Sequence, residues 1–405
     1  MKLEKQLIIL GNGFDLANGF KTSYIGFMNW IIPKKGSSIE NIEKEIKTVT
    51  NWDLVLATEG IRDEKSYVIE KVEKELPTLH KLNIWYILFI HSKISNESNW
   101  NDVETQIYKY LVQDKIIENF DSKIETFKVF QQIVYIILVS KLGKKDLDSV
   151  ANFFYEQLND VEQDFERYLF EAAGYSQEKI VYNDKFGYKG TNKLLKFLME
   201  LDGGMEYFNL LTFNYTDPWH LRWYPNSGDS TDKCVVPKKV KMVHGSANSN
   251  LDSTNHIIFG IDSRYVDVNS INYRFTKVYR TLILNSLKNN NYSINENVYE
   301  PGINVIKFYG HSLCDADYSY FQQMFDFYSL YQNNYLKCYF YFSNWKNSGI
   351  SDDKLLHINV AAVTNLFEHY GETLDNKDHG KNLLTRLQQT GRIIIKQINP
   401  SDCLK

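Results

Sequence analysis

The residues best suited to chemistry fall in four short clusters. Gly11-Asn12-Gly13 follows the apolar run Leu7–Leu10, with Asp15 just behind it. Asn214 and Asp217 follow Phe208–Phe213, His244 follows Lys239–Val243, and Gly310-His311-Ser312 follows Ile303–Phe308. A glycine turn between a strand and a helix lets a phosphate approach the backbone, and the helix N–H groups favour an anion. A histidine that is neutral near pH 7 suits general-base work. An asparagine amide can hold water or hydroxyls without adding charge. No pair of histidines has the H-x-x-x-H or H-E-x-x-H spacing, so no metal is expected. The turn is not an ordinary dehydrogenase fingerprint, because Leu16 stands where the third glycine belongs.

Each candidate also has a plain structural reading. His244 before Gly245 can simply close a strand. Asn214 can form an Asx-turn before Pro218. Asp315 and Asp317 fit first-turn acids favoured by a helix dipole. Glu104 fits a capping or surface acid on a helix opened by Asn99-Trp100-Asn101-Asp102.

These clusters need strands to hold them. Gln6–Phe27 reads as a buried strand, a tight turn and a helix start. A helix over 22–32 should end at Pro33 to Gly36. From 39 to 201 apolar residues recur at helical spacing, as in Phe127, Phe130, Val134, Ile137 and Leu138, with an acidic helix at 161–173. Strand candidates then follow at 208–213, 239–243, 256–261, 303–308, 336–342 and 392–398. Helices are expected near 272–287, 318–331 and 355–370. Strand and helix alternation predicts an α/β fold: a Rossmann-like, mostly parallel sheet with helices on both faces. The expected division is a core of 1–38 and 202–405 with an all-helical insertion of 39–201. Ligands of such sheets bind beyond the carboxyl ends of the strands, where the four clusters fall.

The 405 residues can bury a substantial core. A net charge of −4 gives no reason to expect nucleic acid as the main partner. The 28 tyrosines and 24 phenylalanines read as core and half-buried surface. Cys234, Cys314, Cys338 and Cys403 lie far apart, which fits neither a zinc ribbon nor a disulfide framework and points to the cytoplasm. The first apolar run is too short for a signal peptide. No membrane partner is expected, since the run near Ile84–Ile90 is too short to span a bilayer.

Together, Gly11-Asn12-Gly13-Phe14-Asp15, Thr22-Ser23-Tyr24, Trp100 to Glu104, Phe213-Asn214-Tyr215-Thr216, His244-Gly245 and Gly310-His311-Ser312-Leu313 resemble the bacteriophage abortive infection AbiH family. That family is in turn distantly similar to sirtuin-type NAD-binding domains, including NAD-hydrolysing domains of phage defence. The sirtuin G-A-G-x-S turn is similar to Gly11–Asp15, and Gly19-Phe20-Lys21 follows in a similar place. The T-x-N-x-D strand end is similar to Thr212–Asp217, with the aspartate one residue late. Asp15 replaces the serine, Lys21 replaces a proline, and the zinc module is missing, which speaks against protein deacylation.

The resemblance implies NAD as substrate or ligand, with Asn214, His244 and Asp15 as catalytic residues. His244 would be the general base and Asn214 the orienter of water and ribose. Asp15 or Asp217 would stabilise developing positive charge. Gly11, Asn12, Gly13, Phe14, Thr22, Ser23, Tyr215, Asp217, Gly310, His311, Ser312 and Asp317 would bind the nucleotide. The expected function is an anti-phage effector that hydrolyses NAD and releases nicotinamide. A sensor that binds NAD or ADP-ribose without cleaving it is the alternative, and a defence nuclease the second. A phage-derived trigger is implied, and a homo-oligomer is left open.

Overall fold

The computed structural model describes residues 4–49, 70, 72–94, 103–121, 129–143, 146–174, 188–203, 205–217, 235–247, 257–287, 296–344 and 349–399. Its contacts divide the chain into two compact units. The first comprises 1–22, 169–252 and 285–405; the second comprises 23–168 and 253–284.

The first unit is built on a six-stranded sheet of β1 (Glu4–Leu10), β2 (Met205–Thr212), β3 (Val240–Met242), β4 (Ile303–Tyr309), β5 (Lys337–Phe342) and β6 (Ile393–Gln397). Every pairing is parallel, and the order is β3-β2-β1-β4-β5-β6. This is the doubly wound Rossmann order, with the strand order reversing between β1 and β4. Alternate residues of β1 enter opposite cores. Leu7 and Ile9 join one, while Ile8 and Leu10 join the other. Burial on both faces explains the unbroken apolar runs in these strands.

Helices cover both faces. Leu194, Leu195 and Leu198 of the Tyr188–Glu200 helix pack in the core of Ile8, Leu10 and Phe208. Phe321, Met324 and Phe325 of the Tyr318–Phe327 helix, with Val363, Leu366 and Phe367 of the Asp352–Glu372 helix, fill the other. Lys307 is buried in β4, and its ammonium donates to the carbonyls of Leu198, Met199 and Leu201 at 2.6–2.9 Å. A cation on the last carbonyls suits the negative end of that helix.

The second unit is helical. Among the described residues its longest element, mostly in this unit, runs Leu147–Glu171 and ends two residues short of the end of the acidic helix expected at 161–173. The helix Tyr24–Lys34 belongs here, since Phe27 lies 5.1 Å from Phe165 and 5.7 Å from Tyr168, ring to ring. Pro33 falls inside its last turn instead of beyond it.

The division by contacts therefore differs from the one expected from sequence. Residues 23–38 and 253–284 group with the helices, while 169–201 groups with the sheet. The strand expected at 256–261 is also absent, with His256 outside the described residues. Ile261 makes only an isolated bridge to Thr276.

Two buried ion pairs hold 253–284 within the second unit. Arg280 donates to Glu162 Oε2 at 2.6 Å, and Glu162 Oε1 accepts from the Phe259 N–H. Lys277 meets Glu104 at 2.7 Å. Arg280→Met is expected to cost about 3–5 kcal/mol, because Glu162 stays buried without its cation. Urea unfolding of the full chain checks this; a loss under about 1 kcal/mol would mean that water reaches Glu162.

Candidate functional site

The β1 and β4 ends meet through backbone. Gly11 N–H donates to Tyr309 O at 3.1 Å, and Gly13 N–H to Gly310 O at 2.8 Å. A Cβ on Gly11 or Gly13 would come within 2.6 Å of Gly310 or His311 backbone atoms. These glycines are thus required for close packing of the two strand ends. The helix after the turn, Asn12–Ala17, has only six residues, and Gly11 makes no side-chain cap. Phe14 points into the core, fully buried, with its ring edge-on to Tyr309.

Asn12 and Thr22 clasp each other. Thr22 Oγ1 donates to Asn12 Oδ1, and Asn12 Nδ2 donates to Thr22 O at 3.4 Å. The next residue, Ser23, is the N-cap of the Tyr24–Lys34 helix and accepts from Gly26 N–H at 3.2 Å. Its hydroxyl therefore serves the helix start.

Asp15 is 1% exposed and joins β1 to the end of β2. Its Oδ1 accepts from Asn214 Nδ2 at 3.1 Å and its Oδ2 from Thr216 Oγ1 at 2.7 Å. Burial raises the Asp15 carboxyl to about 7, and the bonds from Thr216 and Asn214 only partly offset that. Since the amide nitrogen of Asn214 faces Asp15, its oxygen is turned the other way. That oxygen is buried and meets no hydrogen-bond partner among the described residues. A buried acceptor left unmet is costly, and this one suits a ligand hydroxyl or a water. Asp217 is buried, Tyr215 is half-buried, and Tyr215 O accepts from Ala247 N–H at 2.8 Å.

The ends of β3 and β4 carry the histidines. His244 Nε2 lies 3.2 Å from Asp317 Oδ1, and His311 Nε2 lies 3.3 Å from Asp317 Oδ2. Phe213 packs against both rings at steep angles, with ring centroids 5.6 Å from His244 and 4.4 Å from His311. His311 Nδ1 accepts the Leu313 N–H at 2.9 Å. Leu313 adopts φ +57°, a left-handed conformation rare for leucine, and so strain accompanies that bond. Two histidines and a carboxylate resemble a divalent-metal set. His311 does not suit that role, because an Nδ1 that accepts a proton leaves the ring proton on Nε2.

Ser312 is exposed, and Asp315 is a surface acid 3.2 Å from His369. Glu104 is no surface acid; it is the buried partner of Lys277 in the helical unit. The proposed cap at 99–102 lies outside the described residues. In the sequence Thr216 and Phe213 stand out only as letters of the family motif. Their spacing around Asn214 is visible in the sequence, but not that one holds Asp15 and the other packs against both imidazoles.

No helix of the described residues is long and apolar enough to cross a membrane. No match was found among curated proteins or among solved structures. The family model described as bacteriophage abortive infection AbiH matches residues 7–339. That span holds all the strand-end clusters, so the chain belongs to the AbiH family, which suggests a role in abortive-infection defence against phage.

Proposed function

We propose that this AbiH protein binds NAD at the β1/β4 switch point and hydrolyses its nicotinamide–ribose bond. The observation that carries the reading is Asn214: its amide nitrogen is held by Asp15, and its buried oxygen, at the carboxyl end of β2, is left unmet among the described residues. That oxygen would accept from the attacking water or a ribose hydroxyl. Its place at the carboxyl end of a strand next to β1 supports the reading, since Rossmann-like sheets take nucleotides beyond those ends. The sirtuin-like order of the glycine, asparagine, histidine and serine motifs supports NAD as the nucleotide.

In the reaction the C1′–N bond breaks and its electron pair goes to the pyridine nitrogen, so nicotinamide leaves neutral. The C1′–O bond forms from water, and the water proton passes to His244. The products are nicotinamide, ADP-ribose and one proton. Orientation of ribose and water supplies much of the rate, and the base adds about 10²–10⁴-fold.

One observation favours a sensor that binds without cleaving. The Asp15 carboxyl is engaged with Asn214 and Thr216 and raised to about 7, which weakens it as an anion for a developing ribose cation.

The test follows NAD and nicotinamide in cells expressing wild type, Asn214→Ala or His244→Ala, with and without phage. NAD should fall and nicotinamide rise only with the wild type, and each variant should lose about 100-fold or more in rate. Flat NAD in all three, with calorimetric NAD binding by the purified chain, would replace the enzyme with the sensor. Flat NAD without binding would remove both.

A further inference from the structure

A polar cavity of about 390 Å³ lies wholly within the helical unit. Its charged lining is Lys35, Lys81, Lys141 and Arg167 against Asp160 and Asp164. Four cations meet two carboxylates, so two positive charges are left over. Small-molecule pockets run from about 300 to 1,000 Å³, so the space admits a ligand of modest size.

The charges are unevenly matched. Asp164 meets Lys35 at 2.6 Å and Arg167 at 3.4 Å, and its Oδ2 accepts from the Tyr86 O–H at 2.8 Å. Asp160 accepts from Gln157 Nε2 at 3.2 Å, and burial holds its carboxyl above the usual range, which weakens it as an anion. Lys81 ends the Pro77–Lys81 helix, and Lys141 stands in the last turn of Val129–Leu142. Neither meets a carboxylate among the described residues.

We infer that this cavity binds a small phosphorylated ligand, with Lys81 and Lys141 taking its phosphate. Lys141 Nζ donates to Leu82 O at 2.7 Å, the carbonyl of the residue after Lys81. The two unmatched charges therefore adjoin, and one compact dianion suits them better than two separate carboxylates. A phosphate monoester carries about −1.5 to −2 near pH 7, which matches the surplus.

Helix ends explain part of this arrangement. A lysine in a last turn suits the negative end of its helix, and Leu82 is the C-cap of Pro77–Lys81. One carbonyl, however, takes only one of the three N–H donors of Lys141 and none of Lys81. Burial lowers Lys141 to about 8, the sign of an ammonium short of a counter-ion. The amides do not compete for the ligand. Asn83 Nδ2 donates to Gln157 O at 2.7 Å, and Gln157 Oε1 accepts from Ile84 N–H at 3.4 Å, so both are spent on holding the rim. Half-buried Phe153 offers an apolar wall for the rest of the ligand. The inference stands apart from the NAD reaction, whose residues Asp15, Asn214 and His244 belong to the other unit.

The experiment measures acetylation rates of single lysines in the full chain by N-acetoxysuccinimide, read by peptide mass spectrometry. Inorganic phosphate is the probe, and chloride keeps the ionic strength constant. An anion beside Lys141 holds its proton, so phosphate should slow its acetylation roughly tenfold near pH 7. Exposed Lys354, in the Asp352–Glu372 helix and outside the cavity, should react at an unchanged rate. Lys81→Gln removes an exposed side chain, so the fold should survive it. It should raise the phosphate needed to protect Lys141 about tenfold. An Lys141 rate indifferent to phosphate overturns the inference and leaves the two lysines as helix caps. So does equal slowing at Lys354, or full protection in Lys81→Gln. Succinate that protects Lys141 as well as phosphate does overturns the assignment to a phosphorylated ligand.

Discussion

Gly310→Ala is expected to cost about 2–5 kcal/mol, although it adds a single methyl group. Gly310 has φ +71°, a conformation L side chains rarely adopt. A Cβ there would stand 2.5 Å from Phe14 N and 2.8 Å from Gly13 Cα. Those are backbone atoms of the β1 turn and have no rotamer to escape into. The left-handed conformation costs about 1–2 kcal/mol, and overpacking adds roughly 1–3. The shift would also stretch the 2.8 Å bond from Gly13 N–H to Gly310 O, which closes the switch point.

Gly302→Ala is the control. Its φ is +86°, but a Cβ there meets nothing within 4 Å. It should cost only the backbone part, about 1–2 kcal/mol. Urea unfolding of both variants decides. Equal losses would mean that the contact between the β1 and β4 ends yields freely, and the glycines would return to the phosphate-approach role alone.

Asp15→Asn is expected to stabilise the protein above neutral pH and to change little near pH 4. The carboxyl goes from the ordinary 3.8 to about 7 in the fold, chiefly through burial. A raised carboxyl means that the folded state holds the proton more tightly than the unfolded chain. Its stability contribution is therefore complete below 3.8 and is lost as pH climbs to about 7. The loss at alkaline pH is on the order of 4 kcal/mol.

The asparagine side chain copies the neutral acid. Its oxygen accepts from Asn214 Nδ2, and its amide donates to Thr216 Oγ1, which can accept. Melting temperatures across this range should show the variant above the wild type at alkaline pH and level with it at acid pH. A variant less stable at every pH would mean that Asp15 is held ionised and that its two bonds outweigh burial. Activity separates the roles further. If Asp15 only orients Asn214, Asp15→Asn keeps NAD cleavage, whereas a required anion makes it inactive.

Much of the scaffold was legible in local pattern. Leu7–Leu10, Phe208–Phe213 and Ile303–Phe308 are apolar runs that buried parallel strands require, and each ends in polar residues at a carboxyl end. The glycine turn, the helices after β4 and β5, and the family motifs are also matters of neighbours along the chain. The segment 256–261 shows where that reasoning fails. Its apolar run reads as a strand, but Phe259 N–H goes to buried Glu162, and the segment joins the helical unit. A short apolar run does not say whether its backbone partner is a strand or a side chain.

The site divides in the same way. Sequence alone placed Asp15, Asn214, His244, His311 and Asp317 at strand or helix ends, because capping and turn chemistry is local. Only the fold turned Asp15 onto Asn214 and Thr216, and Asp317 away from its own helix onto His244 and His311. These partners stand 199 residues apart in the first case, and the parallel sheet alone brings them together. The local tendency of Asp317 was to cap its helix. Two buried imidazoles lie 3.2 and 3.3 Å from that carboxylate instead. Strand ends were written in the sequence; which charges face one another was decided by the order in which the strands assembled.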